Sequence, residues 1–132
     1  MGISHIGIPV SDSDRSWAFY TRALEPLGIG VSLIIGPGDT ESGGTAIGFG
    51  TADQPGFFWF GDNEAVGEGI HVAFDADTRG AVREFHRAAL EAGATDNGPP
   101  GLRPHYGANY YAAFVLDPDG HSIEAVCLKP ES

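Results

Sequence analysis

Hydrophobic residues occur along the chain in short runs separated by Gly, Pro, Asn and Asp. Runs of about four to eight residues between such turn residues predict β-strands. The predicted strands are HIGIPV (5–10), GVSLIIG (30–36), GTAIGFG (44–50), GFFWF (56–60), HVAFD (71–75), NYYAAFVL (109–116) and SIEAV (122–126).

Two stretches have the spacing of an amphipathic helix. The first is expected to begin near Ser13 or Asp14, whose short side chains can cap free backbone amides, and to end before Pro26. The second is expected to run from about Thr78 to Ala92. The predicted buried faces carry Trp17, Tyr20 and Leu24 in the first helix and Val82, Phe85 and Ala89 in the second.

The chain contains an internal repeat in which each half opens with a histidine on a strand and continues into a helix. Two pairs of segments align at one common offset: 5–12 with 71–78, and 18–28 with 84–93. Each half is therefore predicted to form a strand, a helix and two or three further strands. We expect one α+β domain over residues 1–132, built from module one (1–64) and module two (65–132).

Residues 94–108 interrupt this pattern. The sequence ATDNGPPGLRPHYGA is too rich in Gly and Pro to predict a regular strand, although Leu102 to Tyr106 could pair along a sheet edge. We interpret the segment as a mobile loop or lid.

Composition narrows the range of partners. Hydrophobic residues make up 42% of the chain, and 18 Asp and Glu against 7 Lys and Arg give a formal net charge of −11. An acidic surface repels nucleic-acid phosphates and anionic lipids, so we expect a small-molecule ligand and neither of those partners. The lone Cys127 cannot form an internal disulfide, and no apolar stretch reaches the length of a membrane span. We therefore expect a cytoplasmic protein.

The stretch LDPDGHSIEAV (116–126) places one carboxylate, Glu124, in an otherwise apolar strand. The Pro-Asp-Gly sequence before it predicts a hairpin turn that orients this strand, with His121 exposed directly after the turn. A carboxylate between two buried faces loses hydration worth several kcal/mol unless a cation or several hydrogen-bond donors meet it. The position therefore raises the question of a metal ion.

His5 and His71 occupy equivalent strand positions in the two halves and should face one concave surface together with Glu124. Two imidazoles and one carboxylate suit a divalent transition metal and leave open positions for water and substrate. The alternatives are that each histidine is an ordinary polar residue, or that Glu124 faces solvent or forms a salt bridge. The candidate salt-bridge partners are Arg15, Arg22 and Arg103.

Taken together, HIGIPVSD, SWAFYTRALEPLG, GIHVAFDAD and above all YYAAFVLDPDGHSIEAV resemble the vicinal oxygen chelate superfamily. This superfamily groups glyoxalase I, extradiol dioxygenases, fosfomycin-resistance thiol transferases and bleomycin-resistance proteins. The resemblance covers essentially the whole chain. It implies two tandem βαβββ modules that form an open half-barrel pair, assembled as a homodimer.

The resemblance also implies a divalent metal, Fe, Mn, Ni or Zn, held by His on the first strand of each module and Glu on the last strand. His5, His71 and Glu124 match these positions, and His5 could complete the site of the partner subunit. Glyoxalase I has a fourth ligand where this chain has GFFWFGD (56–62), so a three-ligand enzyme is the better match.

The expected function is a lyase, isomerase or dioxygenase reaction on a small substrate that chelates the metal through adjacent oxygens. Glu124 and His105 are the predicted catalytic residues. The predicted substrate-binding residues are Phe58, Trp59, Phe60, Arg103, Tyr106 and Tyr110, with core packing as the alternative for the phenylalanines.

A second hypothesis is a metal-free dimer that sequesters a cationic aromatic drug, of the bleomycin-binding type. The acidic composition and the aromatic residues favour it. The presence of all three candidate metal ligands argues against it, because a drug-binding groove does not need them. A structural or regulatory dimer with a vestigial site is a third alternative.

Overall fold

The computed structural model describes residues 2–40 and 42–130. The elements of the first half are β1 (Ile6–Pro9), α1 (Ser13–Ala23), β2 (Gly30–Ile35), β3 (Ala46–Gly50) and β4 (Phe58–Gly61), with short 3-10 turns at Glu25–Leu27 and Pro37–Asp39. Those of the second half are β5 (His71–Asp75), α2 (Arg79–Glu91), β6 (Thr95–Leu102), β7 (Tyr111–Leu116) and β8 (Ser122–Cys127).

Each half of the chain forms one four-stranded sheet with one helix. The strand order is β1-β4-β3-β2 in the first sheet and β5-β8-β7-β6 in the second. The first strand of each half lies parallel to the last, and the remaining pairs are antiparallel. Both sheets are open. This arrangement confirms the predicted α+β architecture of two tandem βαβββ modules.

Both helices begin close to the predicted positions, but the cap of α1 is Asp12 rather than Ser13 or Asp14. The Asp12 side chain accepts a hydrogen bond from the Arg15 backbone N–H at 3.1 Å, and Thr78 Oγ1 accepts one from the Ala81 N–H at 3.0 Å. Such caps satisfy amides that the first helical turn leaves without a partner. The two helices are 11 and 13 residues long, and neither has the length and hydrophobicity of a membrane span.

The buried face of α2 is the predicted one, whereas that of α1 differs at Trp17. Trp17 is 40% exposed, while Ser16, Phe19, Tyr20 and Ala23 are buried. Those four positions follow the i, i+3, i+4, i+7 spacing of one helix face, from which Trp17 is rotated by about 100°. The prediction for Trp17 was therefore wrong, because the small Ser16 takes the core position in the first turn.

The predicted loop at 94–108 is largely a strand. β6 runs antiparallel to β7 at the edge of its sheet, with register irregularities between Asp96 and Gly98 and between Gly98 and Gly101. An edge strand bonds to a neighbour on one side only, which is why two prolines are tolerated there. Pairing ends at Leu102, and a hydrogen bond of 2.8 Å from the Arg103 N–H to the Tyr110 carbonyl closes the following turn.

One hydrophobic core joins the two modules. The rings of Phe58 and Phe74, one from each module, meet edge to face with centroids 5.1 Å apart. The Tyr20 ring lies between Phe58 and Phe60 at 5.1 and 5.4 Å. Helices α1 and α2 also contact each other.

A polar junction links the modules at the turn before β8. The Tyr20 hydroxyl donates to the Asp117 carboxylate at 2.5 Å, and the Ser11 hydroxyl donates to Asp119 at 2.5 Å. Asp117 also accepts from the His121 backbone N–H at 2.9 Å. These contacts fix the start of β8, the strand that carries Glu124, against module one.

His121 is buried in this junction, contrary to the prediction that it is exposed. The residue is 2% exposed, and its Nε2 lies 2.7 Å from the Pro9 carbonyl oxygen. The end of β1 covers the turn, a long-range contact that local sequence cannot reveal. The imidazole is thus a link between modules rather than a surface group.

Candidate metal centre

Glu124 lies on β8 next to β5, the strand that begins with His71. The register pairs His71 with Ser122 and Ala73 with Glu124, which brings both functional side chains to one face. His71 Nε2 is 2.9 Å from Glu124 Oε1. The Glu124 side chain is 3% exposed and that of His71 is 45% exposed, so the pair has one buried and one open member.

The partners of the Glu124 carboxylate are a histidine and a tyrosine. Within residues 2–40 and 42–130, neither lysine nor arginine forms an ion pair with it, so the predicted alternative of a salt bridge to Arg15, Arg22 or Arg103 does not occur there. Instead, the Tyr110 hydroxyl donates to Oε2 at 2.5 Å. Burial and the adjacent carboxylate raise the pKa of Tyr110 to about 12, so the phenol keeps its proton at neutral pH.

His71 is supported on its other side. Its Nδ1 lies 2.8 Å from Ser122 Oγ, and its ring stacks on Phe114 at 6.1 Å. These residues line an open pocket of about 600 Å³, within the range of small-molecule sites. The lining residues are His71, Asn97, Tyr106, Tyr110, Phe114, Ser122 and Glu124.

His5 lies in a different pocket, on module one. This second pocket, of about 460 Å³, is lined by His5, Ile35, Ala46, Gly56 and Trp59. His5 is exposed, and its only hydrogen bond in the described part of the chain joins Nδ1 to Ser4 Oγ at 3.1 Å. One chain therefore brings His71 and Glu124 together, but not His5 with them.

Trp59 occupies the position in module one that Glu124 has in module two. β4 pairs Trp59 with Gly7 just as β8 pairs Glu124 with Ala73, the repeat equivalent of Gly7. A Cβ on Gly48 would lie 2.7 Å from the indole, so this glycine makes room for the ring against β3. The position equivalent to Glu124 is thus an aromatic surface and offers no ligand.

The other predicted site residues divide between the pocket and the core. Phe58 and Phe60 are fully buried, so their rings do not reach either pocket. Tyr106 is 63% exposed and lies 5.2 Å from the Tyr110 ring. His105 is exposed and packs on Tyr106 at 4.2 Å, one ring further from Glu124.

Arg103 is held beside the pocket by its own segment. Its guanidinium donates to the Gly101 and Pro99 carbonyls at 2.8 Å each and lies 5.4 Å from the Phe114 ring. Those contacts use two of the five guanidinium N–H donors and fix the position of the side chain. Ser122 and Phe114 were not predicted as site residues, although the pairing of Ser122 with His71 follows from aligning the first and last strands of the module.

A second group of potential metal ligands lies at the module junction. Single donor atoms of Asp117, Asp119 and His121 lie within 4.8 Å of one another, which could accommodate a cation. Their polar atoms already serve other partners, including the Tyr20 and Ser11 hydroxyls and the Pro9 carbonyl. In this arrangement the group stabilises the module junction.

Comparison with known proteins agrees with the fold. The family model described as Glyoxalase/Bleomycin resistance protein/Dioxygenase superfamily matches residues 2–125. Among curated protein sequences, none matches this chain closely enough to count as a relative. The chain is similar in structure to a glyoxalase/bleomycin resistance protein from Albidiferax ferrireducens T118, with a TM-score of 0.72, 26% identity, and coverage of 96% of this chain and 97% of that one.

Two further structures share the fold. A glyoxylase/bleomycin resistance protein/dioxygenase domain from Frankia sp. EAN1pec has a TM-score of 0.72 at 20% identity, covering 96% of this chain and 97% of that one. Glyoxalase I from Zea mays has a TM-score of 0.70 at 24% identity, covering 95% of this chain and 45% of that one. Because the family model matches residues 2–125, nearly the whole chain, the chain belongs to the Glyoxalase/Bleomycin resistance protein/Dioxygenase superfamily.

Proposed function

We propose that this protein is a divalent-metal-dependent enzyme acting on a small substrate that carries two adjacent oxygens. The observation that supports it best is the Glu124 carboxylate, which is buried in an open pocket 2.9 Å from a histidine nitrogen and pairs with no lysine or arginine of the described residues. Burying a charge is costly unless a cation or several donors meet it. A metal ion would supply the missing positive charge.

The residues fit such an ion in their chemistry. His71 Nε2 and Glu124 Oε1 converge from neighbouring strands, and an imidazole with a carboxylate suits Fe, Mn, Ni or Zn. A bound ion would polarise substrate oxygens as a Lewis acid. Tyr110 would keep Glu124 oriented by its hydrogen bond, because its phenol stays protonated.

The third ligand would be His5 of the partner subunit in a homodimer. Three aliphatic residues of β2, Val31, Leu33 and Ile34, are 48%, 52% and 50% exposed, next to the pocket that contains His5 and Ile35. Exposed aliphatic side chains on an edge strand are typical of a protein interface. In the second sheet the edge strand β6 contains two prolines, which discourage edge pairing.

In this dimer, the Trp59 surface would form an aromatic wall of the shared site, facing Tyr106 and Tyr110 of the other subunit. His105 would be the acid–base group, reaching the substrate by movement of the turn that carries it. Because Trp59 stands where a fourth ligand would be, a metal site with three protein ligands is favoured over the four-ligand site of glyoxalase I. Dioxygenase and lyase or isomerase chemistry both stay open, and cytoplasmic residence stays a prediction.

Elemental analysis of protein purified without metal-affinity resin tests the proposal. We expect about one transition-metal ion per chain in the wild type and loss of the ion in Glu124→Gln, His71→Ala and His5→Ala. His86→Ala is the matched control, because His86 pairs with Asp96 and lines neither pocket that contains a candidate ligand. A wild-type chain that binds no Fe, Mn, Ni or Zn after their addition would overturn the proposal.

A metal-free ligand-binding protein is the second candidate, because one further pocket suits a cationic ligand. This pocket of about 340 Å³ has the rings of Phe57 and Phe74 at 6.5 Å on one side and the carboxylates of Asp75 and Asp77 on another. Aromatic rings and carboxylates together attract an organic cation. Benzyltrimethylammonium binding that persists after metal stripping and disappears in Asp75→Asn would support sequestration; unchanged binding in Asp75→Asn would contradict it.

A further inference from the structure

Both ring nitrogens of His71 have a side-chain partner. Ser122 Oγ is 2.8 Å from Nδ1, and Glu124 Oε1 is 2.9 Å from Nε2. Ser122 is the register partner of His71 on the adjacent strand, so backbone pairing sets this distance. The imidazole is thus held at both ends, in addition to its stacking on Phe114.

The two partners differ in what they can do. The ionised Glu124 carboxylate only accepts hydrogen bonds, whereas the Ser122 hydroxyl can donate or accept by rotation. A neutral imidazole has one donor nitrogen and one acceptor nitrogen. A neutral His71 beside an ionised Glu124 donates from Nε2–H to the carboxylate and accepts from Ser122 at Nδ1. With metal, Nε2 must offer its lone pair, so Nδ1 carries the proton and Ser122 must accept.

We propose that Ser122 is a positioning residue that holds His71 in the same orientation in both tautomers and thereby favours metal binding. This inference rests on the proposed function. As metal binds, the Nε2 proton leaves to water and Nδ1 gains a proton from water, so the neutral ring keeps its proton count. The Ser122 hydroxyl turns from donor to acceptor while the ring stays in place.

Module one offers a built-in comparison. Among the described residues, the only hydrogen bond of the His5 side chain joins Nδ1 to Ser4 Oγ, at 3.1 Å on the exposed surface. On the adjacent strand the residue next to His5 is Phe57, whose carbonyl accepts from the Ile6 N–H, so that strand supplies no hydroxyl. His71 is therefore the prearranged histidine of the two. Ser42→Ala is the control for Ser122→Ala, because Ser42 accepts a hydrogen bond from the Gly44 N–H and lines neither pocket that contains a candidate ligand.

Zn²⁺ and Mn²⁺ affinities of the metal-stripped full chain test the proposal. Hydrogen-bond partners of metal-binding histidines typically contribute 10- to 100-fold in affinity. We expect Ser122→Ala to weaken binding about 10-fold, the lower end of this range, because water can partly replace the lost hydroxyl. Ser122→Thr keeps the hydroxyl and should bind like the wild type, as should Ser42→Ala.

Nitrogen NMR of the histidine rings gives a readout that a purely structural role would not change. The wild type should show His71 protonated at Nε2 without metal and at Nδ1 with Zn²⁺. Equal affinities of Ser122→Ala and wild type, or a His71 tautomer that does not change, would overturn this inference while leaving the metal site standing. A wild type that binds none of Zn²⁺, Mn²⁺, Fe²⁺ and Ni²⁺ would overturn both.

Discussion

At the scale of single residues, the buried polar groups of this protein serve different purposes according to their partners. Glu124 is buried with a histidine and a phenol, and no lysine or arginine of the described residues pairs with it. Asp117 is buried with a phenol and two backbone amides. The first arrangement leaves room for an ion, and the second is complete as a structural contact.

Glu124→Gln should separate stability from metal binding. In the metal-free chain we expect a free energy of unfolding equal to that of the wild type or higher by up to about 1 kcal/mol, because a buried charge is removed. Adding metal at 100 times Kd should stabilise the wild type by about 2.7 kcal/mol and the variant hardly at all. Denaturant unfolding with and without Zn²⁺ measures both, with the exposed Glu84→Gln as control. Equal stabilisation of both chains would contradict a role for Glu124.

Tyr20→Phe should destabilise the module junction in a pH-dependent way. Burial and the adjacent Asp117 carboxylate raise the pKa of Tyr20 well above its ordinary value. The neutral phenol therefore stabilises the fold fully below its unfolded pKa of about 10, and this contribution is lost as pH rises above that value. We expect a loss of about 1–3 kcal/mol at neutral pH.

The difference between Tyr20→Phe and the wild type should shrink above pH of about 10, because the wild type loses the same contribution there. Urea unfolding across pH gives both quantities. Tyr106→Phe is the control, since Tyr106 is 63% exposed. A pH-independent difference would contradict the assigned sign.

At the scale of elements, close backbone approaches decide which strands the sequence can form. β6 accepts prolines because it lies at an edge, and a Cβ on Gly98 would approach the Phe114 ring to 3.0 Å. In the first sheet, Gly48 makes space for the Trp59 indole, and Gly50 lies against the turn between β3 and β4. The glycines thus shape the surfaces on which the candidate ligands lie.

Gly50→Ala should destabilise the hairpin of β3 and β4. A Cβ there would lie 2.6 Å from the Gly56 backbone nitrogen. This is a clash with the backbone, so no side-chain movement can relieve it. We expect a loss of about 1–3 kcal/mol in unfolding free energy. Gly30→Ala, where nothing lies within 4 Å, should change it by at most about 1 kcal/mol. Thermal unfolding compares the two variants, and equal effects would contradict the packing described.

At the scale of the whole molecule, the question is how the three candidate ligands meet. His71 and Glu124 line one pocket and His5 another, on separate sheets of one chain. The proposed dimer would bring them together. If two subunits share each site, mixing two variants that lack different ligands should produce some intact sites.

Mixing His5→Ala with Glu124→Gln should restore metal binding. Each heterodimer would contain one intact site, with His5 from one subunit and His71 and Glu124 from the other. Random exchange at equal amounts should restore about a quarter of all sites. Metal content of the separate and mixed variants measures this, after partial unfolding to allow exchange. If the mixture binds no more than either variant alone, the ligands are not shared.

Sequence pattern by itself was enough to predict most of the fold. Strand and helix periods, capping residues and the internal repeat are all visible in the sequence without knowledge of the fold. β7, β8 and both helices therefore lie where the pattern places them. The edge strand β6 and the face of α1 were missed. In the first case an open sheet edge tolerates prolines, and in the second the small Ser16 allows a close approach that hydrophobicity alone does not predict.

The candidate site divides in the same way. The repeat and the apolar context of Glu124 singled out His5, His71 and Glu124 from sequence, since both signals lie along the chain. Only the tertiary structure paired His71 with Ser122 and Glu124 with Tyr110, buried His121 against β1, and separated His5 from the other two. Those contacts join residues that are distant in sequence, and only strand register and module packing determine them.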